Sequence, residues 1–110
     1  MDTYLEALPM FVDKIREIRE IIISNIVLLG KIPAPTFHEK RRAEYLVARL
    51  AEFQVDECAI DDYGNPMGVI RGTSTTKPPI FIAAHLDTYS EVEVDQHYEV
   101  TDKIIRGIGV

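Results

Sequence analysis

The residues of this chain best suited to chemistry are His85 and Asp87, which are separated by a single leucine. Side chains repeat every two residues in an extended backbone, so both groups would point to the same face. A neutral imidazole is a good zinc ligand, and a carboxylate beside it can bind the metal or orient the imidazole. The spacing therefore indicates a metal-dependent hydrolase. One histidine and one aspartate do not hold a catalytic metal alone, so further ligands are expected elsewhere.

An apolar segment precedes this pair. Residues 80–84 read Ile-Phe-Ile-Ala-Ala and carry no polar side chain. Such a run predicts a strand that is covered on both faces, as in the interior of an α/β sheet. Open α/β sheets hold their chemistry at the carboxyl ends of strands, which is where His85 and Asp87 fall.

Size and composition exclude several classes of protein. The chain has 110 residues and allows one small domain at most. A net charge of −6 argues against a nucleic-acid or anionic-membrane surface. Cys58 is the only cysteine, which excludes an internal disulfide and fits a reducing, cytoplasmic setting. The charged first twenty residues show no signal peptide, and the apolar residues 21–29 are too short to span a bilayer.

Two helices are predicted in the first half of the chain. The first has a buried stripe of apolar residues at steps of three or four and ends at Gly30, before two prolines; the stripe is Phe11, Ile15, Ile18, Ile22, Ile26 and Leu29. The second begins at Thr36, whose hydroxyl is expected to form a capping box with Glu39. It ends near Phe53, and its predicted buried face is Ala43, Leu46, Val47 and Leu50.

The second half of the chain predicts short strands. Residues 55–60 alternate as in a strand, residues 62–66 form a turn, and residues 67–71 return as a hairpin. Two further short strands are expected at 98–100 and 104–105. The acidic residues 91–95 lack the order of a calcium loop and indicate a solvated loop.

Four stretches, in order, resemble the amino-terminal part of one enzyme family. They are Ile-Pro-Ala-Pro-Thr at 32–36, Asp-Tyr-Gly-Asn at 62–65, Ala-His-Leu-Asp-Thr at 84–88 and Gly-Ile-Gly at 107–109. The family is that of the zinc aminoacylases and carboxypeptidases, which includes peptidase T, carboxypeptidase G, acetylornithine deacetylase and succinyl-diaminopimelate desuccinylase. The resemblance covers about residues 30–110, and the His-x-Asp segment is its most specific part.

The resemblance implies an α/β/α three-layer catalytic domain that binds two metal ions, usually zinc, with cobalt or manganese as substitutes. It implies hydrolysis of an amide bond in a small peptide or an N-acyl amino acid. His85 would be a metal ligand, and Asp87 would be the active-site residue that orients its imidazole. The bridging aspartate, the general base, the remaining ligands and the dimerisation domain of many members would follow residue 110. Residues 1–110 are therefore expected to be an incomplete catalytic domain, inactive alone, with an open sheet edge and exposed apolar surface beside His85.

The competing hypothesis is a non-enzymatic α/β interaction domain. In that case His85 is a strand-end histidine bonded to the backbone, and Asp87 is a turn residue. His38 and His97 are expected to be exposed, and Cys58 to be a small buried hydrophobic residue. Gly107 and Gly109 fit either a simple turn or a close approach of the backbone to the site.

Overall fold

A computed structural model describes residues 2–89 and 97–107. This part holds three helices and two small antiparallel sheets, a mixed α/β content. The helices are α1 (Asp2–Glu17), α2 (Arg19–Gly30) and α3 (Lys40–Glu52). The strands β1 (Asp56–Ile60) and β2 (Pro66–Val69) form one sheet, and β3 (Glu99–Val100) and β4 (Ile105–Arg106) form the other. None of the helices in these ranges has the length and hydrophobicity that a bilayer crossing requires.

The first predicted helix is divided in two at Ile18, whose backbone angles are φ −96° and ψ 11°. It ends at Gly30, as predicted. The prediction of a buried stripe is wrong, because Phe11 is 50% exposed and Ile15 57% exposed. A periodic apolar pattern specifies a face, but burial requires a neighbouring layer, and among the described elements α1 contacts only α2. This stripe therefore lies largely at the surface.

Helix α3 begins at Lys40 and not at Thr36, so the predicted capping box is wrong. Phe37 has a positive φ of 71°, which keeps the preceding residues out of the helix. Glu39 accepts a hydrogen bond from the Phe37 amide at 2.7 Å, and the Thr36 hydroxyl is used elsewhere. The end near Phe53 is confirmed. Of the predicted buried face, Ala43 is buried, and Leu46, Val47 and Leu50 are half-buried.

The predicted hairpin is confirmed, with Ile60 of β1 opposite Pro66 of β2. Its turn is closed by Asp61, which accepts hydrogen bonds from the Tyr63 and Asn65 amides at 2.9 and 2.8 Å. Gly64 adopts a φ of 89°, a conformation that favours glycine. Both strands of the hairpin pack on α3.

Cys58 lies in β1 and is half-buried, close to the expected small hydrophobic role. A β-carbon on Gly68 of β2 would lie 3.5 Å from its sulfur atom, so the two strands approach closely there. The two short strands expected near residues 98–100 and 104–105 are present as β3 and β4, and the structure pairs them antiparallel. The acidic residues 91–95 and Gly109 lie outside the described residues.

The strand predicted at residues 80–84 is absent from the structure. Ile80, Phe81 and Ile82 are 88–90% exposed, so the segment is covered on neither face. A strand exists only through pairing, and no described strand lies beside this one. The exposed apolar surface expected next to His85 is present.

The buried centre of the described part is small. Ala34, Arg42 and Ala43 are buried, at 0%, 4% and 1% exposure. They lie where the loop after α2, the first turn of α3 and the segment after His85 meet. This junction is what positions the candidate site.

Candidate functional site

The His85 imidazole is held by its own segment. Its Nδ1 lies 2.9 Å from the backbone oxygen of Asp87 and 3.2 Å from Oδ1 of the same residue. A carbonyl oxygen can only accept, so Nδ1 carries the proton and donates. In the neutral ring this leaves the Nε2 lone pair free. The side chain is 86% exposed, which makes Nε2 accessible to a ligand.

The Asp87 carboxylate links the imidazole to a distant threonine. Its Oδ2 accepts a hydrogen bond from the Thr36 hydroxyl at 2.6 Å, while Oδ1 faces His85. The Thr36 bond lowers the pKa of Asp87 below its usual value; partial burial opposes this, and His85 lowers the pKa further. The carboxylate is therefore ionised at neutral pH and can only accept. Its position is that of a carboxylate that orients a metal-binding histidine.

Two stretches that are far apart in the sequence meet at this point. The Thr88 amide donates to the Ala34 oxygen at 2.9 Å, and Pro35 and Thr88 form an isolated parallel bridge. The Pro-Ala-Pro-Thr loop thus runs alongside the His-x-Asp segment. The sequence predicts Thr36 in a helix cap, whereas the structure places its hydroxyl on Asp87. The flanking prolines, which keep the loop extended, were the available signal.

A buried arginine joins the same two stretches. Arg42 donates to the carbonyl oxygens of Ile32 and Leu86 at 2.9 and 2.8 Å, and to that of Gly30 at 3.3 Å. Burial lowers the pKa of Arg42, and the proximity of Tyr98 and Asp87 opposes this effect. This role of Arg42 is not evident from the sequence, because an arginine in the first turn of an amphipathic helix is usually solvated.

A shallow pocket of about 260 Å³ lies beside the imidazole. Its lining includes His85, Asp87, Arg42 and Tyr98. The Tyr98 ring packs so closely on Gly30 and Gly107 that a β-carbon on either glycine would overlap it. A side chain at position 107 would therefore collide with the Tyr98 ring.

The donor set fits a metal ion only in part. His85 fits one ligand position through Nε2, and the Asp87 oxygens are already engaged by Thr36 and His85. Across residues 2–89 and 97–107, no group of three or more His, Cys, Asp or Glu side chains is placed to hold a metal. His38 and His97 are exposed, as expected, and neither lines the pocket. These residues thus offer one potential donor with a carboxylate beside it, and a complete metal site would need further donors.

The chain was compared with protein-family models and with curated proteins, and no match was found in either comparison. The family resemblance of the four sequence stretches therefore stays a prediction.

Proposed function

We propose that this chain is the amino-terminal part of a cytoplasmic, metal-dependent amide hydrolase of the three-layer α/β/α type. Its substrates would be small peptides or N-acyl amino acids, and its cofactor two zinc ions. The observation that carries the proposal is the hydrogen-bonded series Thr36–Asp87–His85, which leaves Nε2 of His85 accessible. This is the arrangement that a metal-binding imidazole requires.

Each of the three residues has a distinct task in this proposal. When bound, the metal ions would polarise the scissile carbonyl and lower the pKa of a water molecule. His85 offers Nε2 as a ligand, and Asp87 fixes its tautomer and raises its basicity. Thr36 holds the carboxylate in place through its hydroxyl. The general base and the other ligands would come from beyond the described residues.

One observation favours the competing function, a non-enzymatic interaction domain. The Nδ1 of His85 bonds a backbone oxygen, as a purely structural histidine would. In that case Nε2 is exposed by chance and needs no further ligand. The two proposals differ in what the gene encodes after Val110.

Sequencing the gene beyond the Val110 codon is the first test. The hydrolase proposal expects a continuing reading frame with an aspartate within a few residues and a Glu-Glu pair further on. A stop codon, or a frame without these carboxylates, would contradict it and favour the interaction domain.

The encoded longer protein then provides the functional test. With zinc, cobalt or manganese it should release amino acids from small peptides or N-acyl amino acids. Asp87→Asn should lower metal affinity or activity by about 10- to 100-fold, because it removes the charge that orients His85. His85→Ala should have the larger effect, and His38→Ala is the matched control. Equal activity of the His85 and His38 variants would exclude the metal-ligand role.

The 110-residue chain itself should bind zinc weakly and without fixed stoichiometry, because it contributes one clear ligand. Isothermal titration calorimetry measures this directly. A tight, stoichiometric site that His85→Ala abolishes would instead indicate a self-contained metal centre.

A further inference from the structure

Arg42 is a charged side chain in the most buried region of the described structure. Its residue is 4% exposed, and it lies between Ala34 and Ala43 in the small buried centre. Burying an unpaired charge is very costly, so its hydrogen-bond partners must compensate. Those partners are backbone carbonyls from two separate stretches of the chain.

These hydrogen bonds depend on the planar shape of the guanidinium group. The Nε atom donates to Ile32, Nη1 donates to Leu86, and Nη2 is shared between Gly30 and Ile32. One planar group therefore bonds the loop after α2 on one side and the His-x-Asp segment on the other. Since its donors are directed at backbone carbonyls, Arg42 is poorly placed to bind a substrate carboxylate.

We infer that Arg42 is a positioning residue that fixes the backbone at Leu86 against the loop at 30–36, so that the Thr36–Asp87–His85 series can form. Leu86 lies between the two functional residues, and its carbonyl accepts from Nη1 at 2.8 Å. The Thr88 amide also donates a hydrogen bond to the backbone oxygen of Ala34, which lies in the loop at 30–36. Any value of this arrangement for metal binding rests on the proposed function, whereas the placement of the imidazole can be measured without metal.

Lysine cannot replace arginine in this role. Its ammonium is a compact point charge and lacks the rigid planar donors of a guanidinium group. It therefore cannot bond the carbonyls of both stretches at once. Arg42→Lys keeps the charge and most of the aliphatic side chain, so it isolates the contribution of the planar guanidinium donors. Arg41 is exposed and lies next to Arg42 on the same helix, which makes Arg41→Lys the matched control.

The test is an NMR experiment on the metal-free chain. Amide hydrogen exchange at Thr88 reports the contact with Ala34, and exchange at Asp61, whose amide bonds Asn65, reports the distant hairpin. In Arg42→Lys the Thr88 amide should exchange about tenfold faster or more, while Asp61 is unchanged. The ring ¹⁵N shifts of His85 should move away from the Nδ1-protonated tautomer. Arg41→Lys should change none of these signals.

Two outcomes would overturn the inference. One is an Arg42→Lys chain in which Thr88 exchange and the His85 tautomer match the unmodified protein. The other is an equal acceleration at Thr88 and Asp61, which means that Arg42 contributes to general stability alone.

If Arg42→Lys fails to fold, a measurement on the unmodified chain tests the buried hydrogen bond on which the inference rests. The side-chain Nε–H of Arg42 should exchange at least about tenfold more slowly than that of Arg41, because it is buried and bonded to Ile32. Equal exchange of the two groups would overturn the inference. Both results are independent of zinc, so they stand whether or not the chain belongs to a metal-dependent enzyme.

Discussion

At the scale of single residues, the candidate site is a series of side chains that each fix the next. The Thr36 hydroxyl can donate only one hydrogen bond, and it donates to Asp87. Asp87 in turn accepts from His85, which settles the tautomer of the imidazole. The order of the series means that a change at Thr36 should be detected at His85.

Thr36→Ala tests this order. The variant should leave the helical signal in far-ultraviolet circular dichroism unchanged, because Thr36 does not cap α3. It should lower the free energy of unfolding modestly and should loosen the His85 ring, as its ¹⁵N shifts will show. Thr36→Ser keeps the hydroxyl and should restore both properties. A loss of helical signal with an undisturbed His85 ring would return Thr36 to the role of a helix cap.

At the scale of elements, the hairpin and α3 are held by local chemistry. The Asp61 carboxylate accepts from the Asn65 side chain at 2.9 Å as well as from the two amides of the turn. The Asn65 side-chain bond, followed by the backbone bonds, lowers the pKa of Asp61. The turn therefore depends on the ionised form of this carboxylate.

The pH dependence of stability follows from that shift. Because the pKa of Asp61 is lower in the folded state, its contribution is present above the unfolded value of about 3.9. It is lost as the pH falls through the lower folded value. Urea unfolding from pH 7 to pH 2 should show Asp61→Ala less stable than the unmodified chain at neutral pH, with the difference shrinking in acid. Asp62→Ala, at the exposed neighbour, is the matched control.

The packing of α3 leads to a second prediction at this scale. Ala43 is 1% exposed, so Ala43→Leu has no space for its larger side chain. Overpacking of this kind costs about 1–3 kcal/mol in the free energy of unfolding. Ala48 lies exposed on the same helix, and Ala48→Leu should stay within about 0.5 kcal/mol of the unmodified chain. Chemical denaturation of both variants makes the comparison, and similar costs would mean that the helix is rotated from its described orientation.

At the scale of the whole molecule, the chain is looser than a compact domain of its length. Its radius of gyration is 16.6 Å, against about 13 Å expected for a compact chain of this length. The apolar residues at 80–82 and the stripe on α1 and α2 lie at the surface. Exposed apolar surface with unpaired backbone groups is a template for association with another chain.

The isolated chain should therefore self-associate at micromolar concentration, as measured by analytical ultracentrifugation. Ile82→Lys places a charge in the exposed segment and should shift the distribution toward the monomer. Tyr63→Lys changes a residue of similar exposure in the hairpin turn and is the control. A compact monomer with two-state unfolding would contradict this prediction and favour a complete small domain.

Features that depend on neighbouring residues follow from the sequence alone. The hairpin around Asp61, the end of α2 at Gly30 and the end of α3 near Phe53 follow from turn residues and apolar periods a few positions long. The pairing of His85 with Asp87 belongs to the same class, because only one residue separates them.

Which distant groups meet depends instead on the folded backbone. Thr36 bonds Asp87 across 51 positions of sequence, and Arg42 bonds Leu86 across 44. The exposure of residues 80–82 was decided in the same way, since burial of a strand depends on elements that lie beside it. Periodicity and spacing describe which side of an element is apolar or polar. They do not describe what packs against that side, because a contact forms only where the folded backbone brings its two partners together.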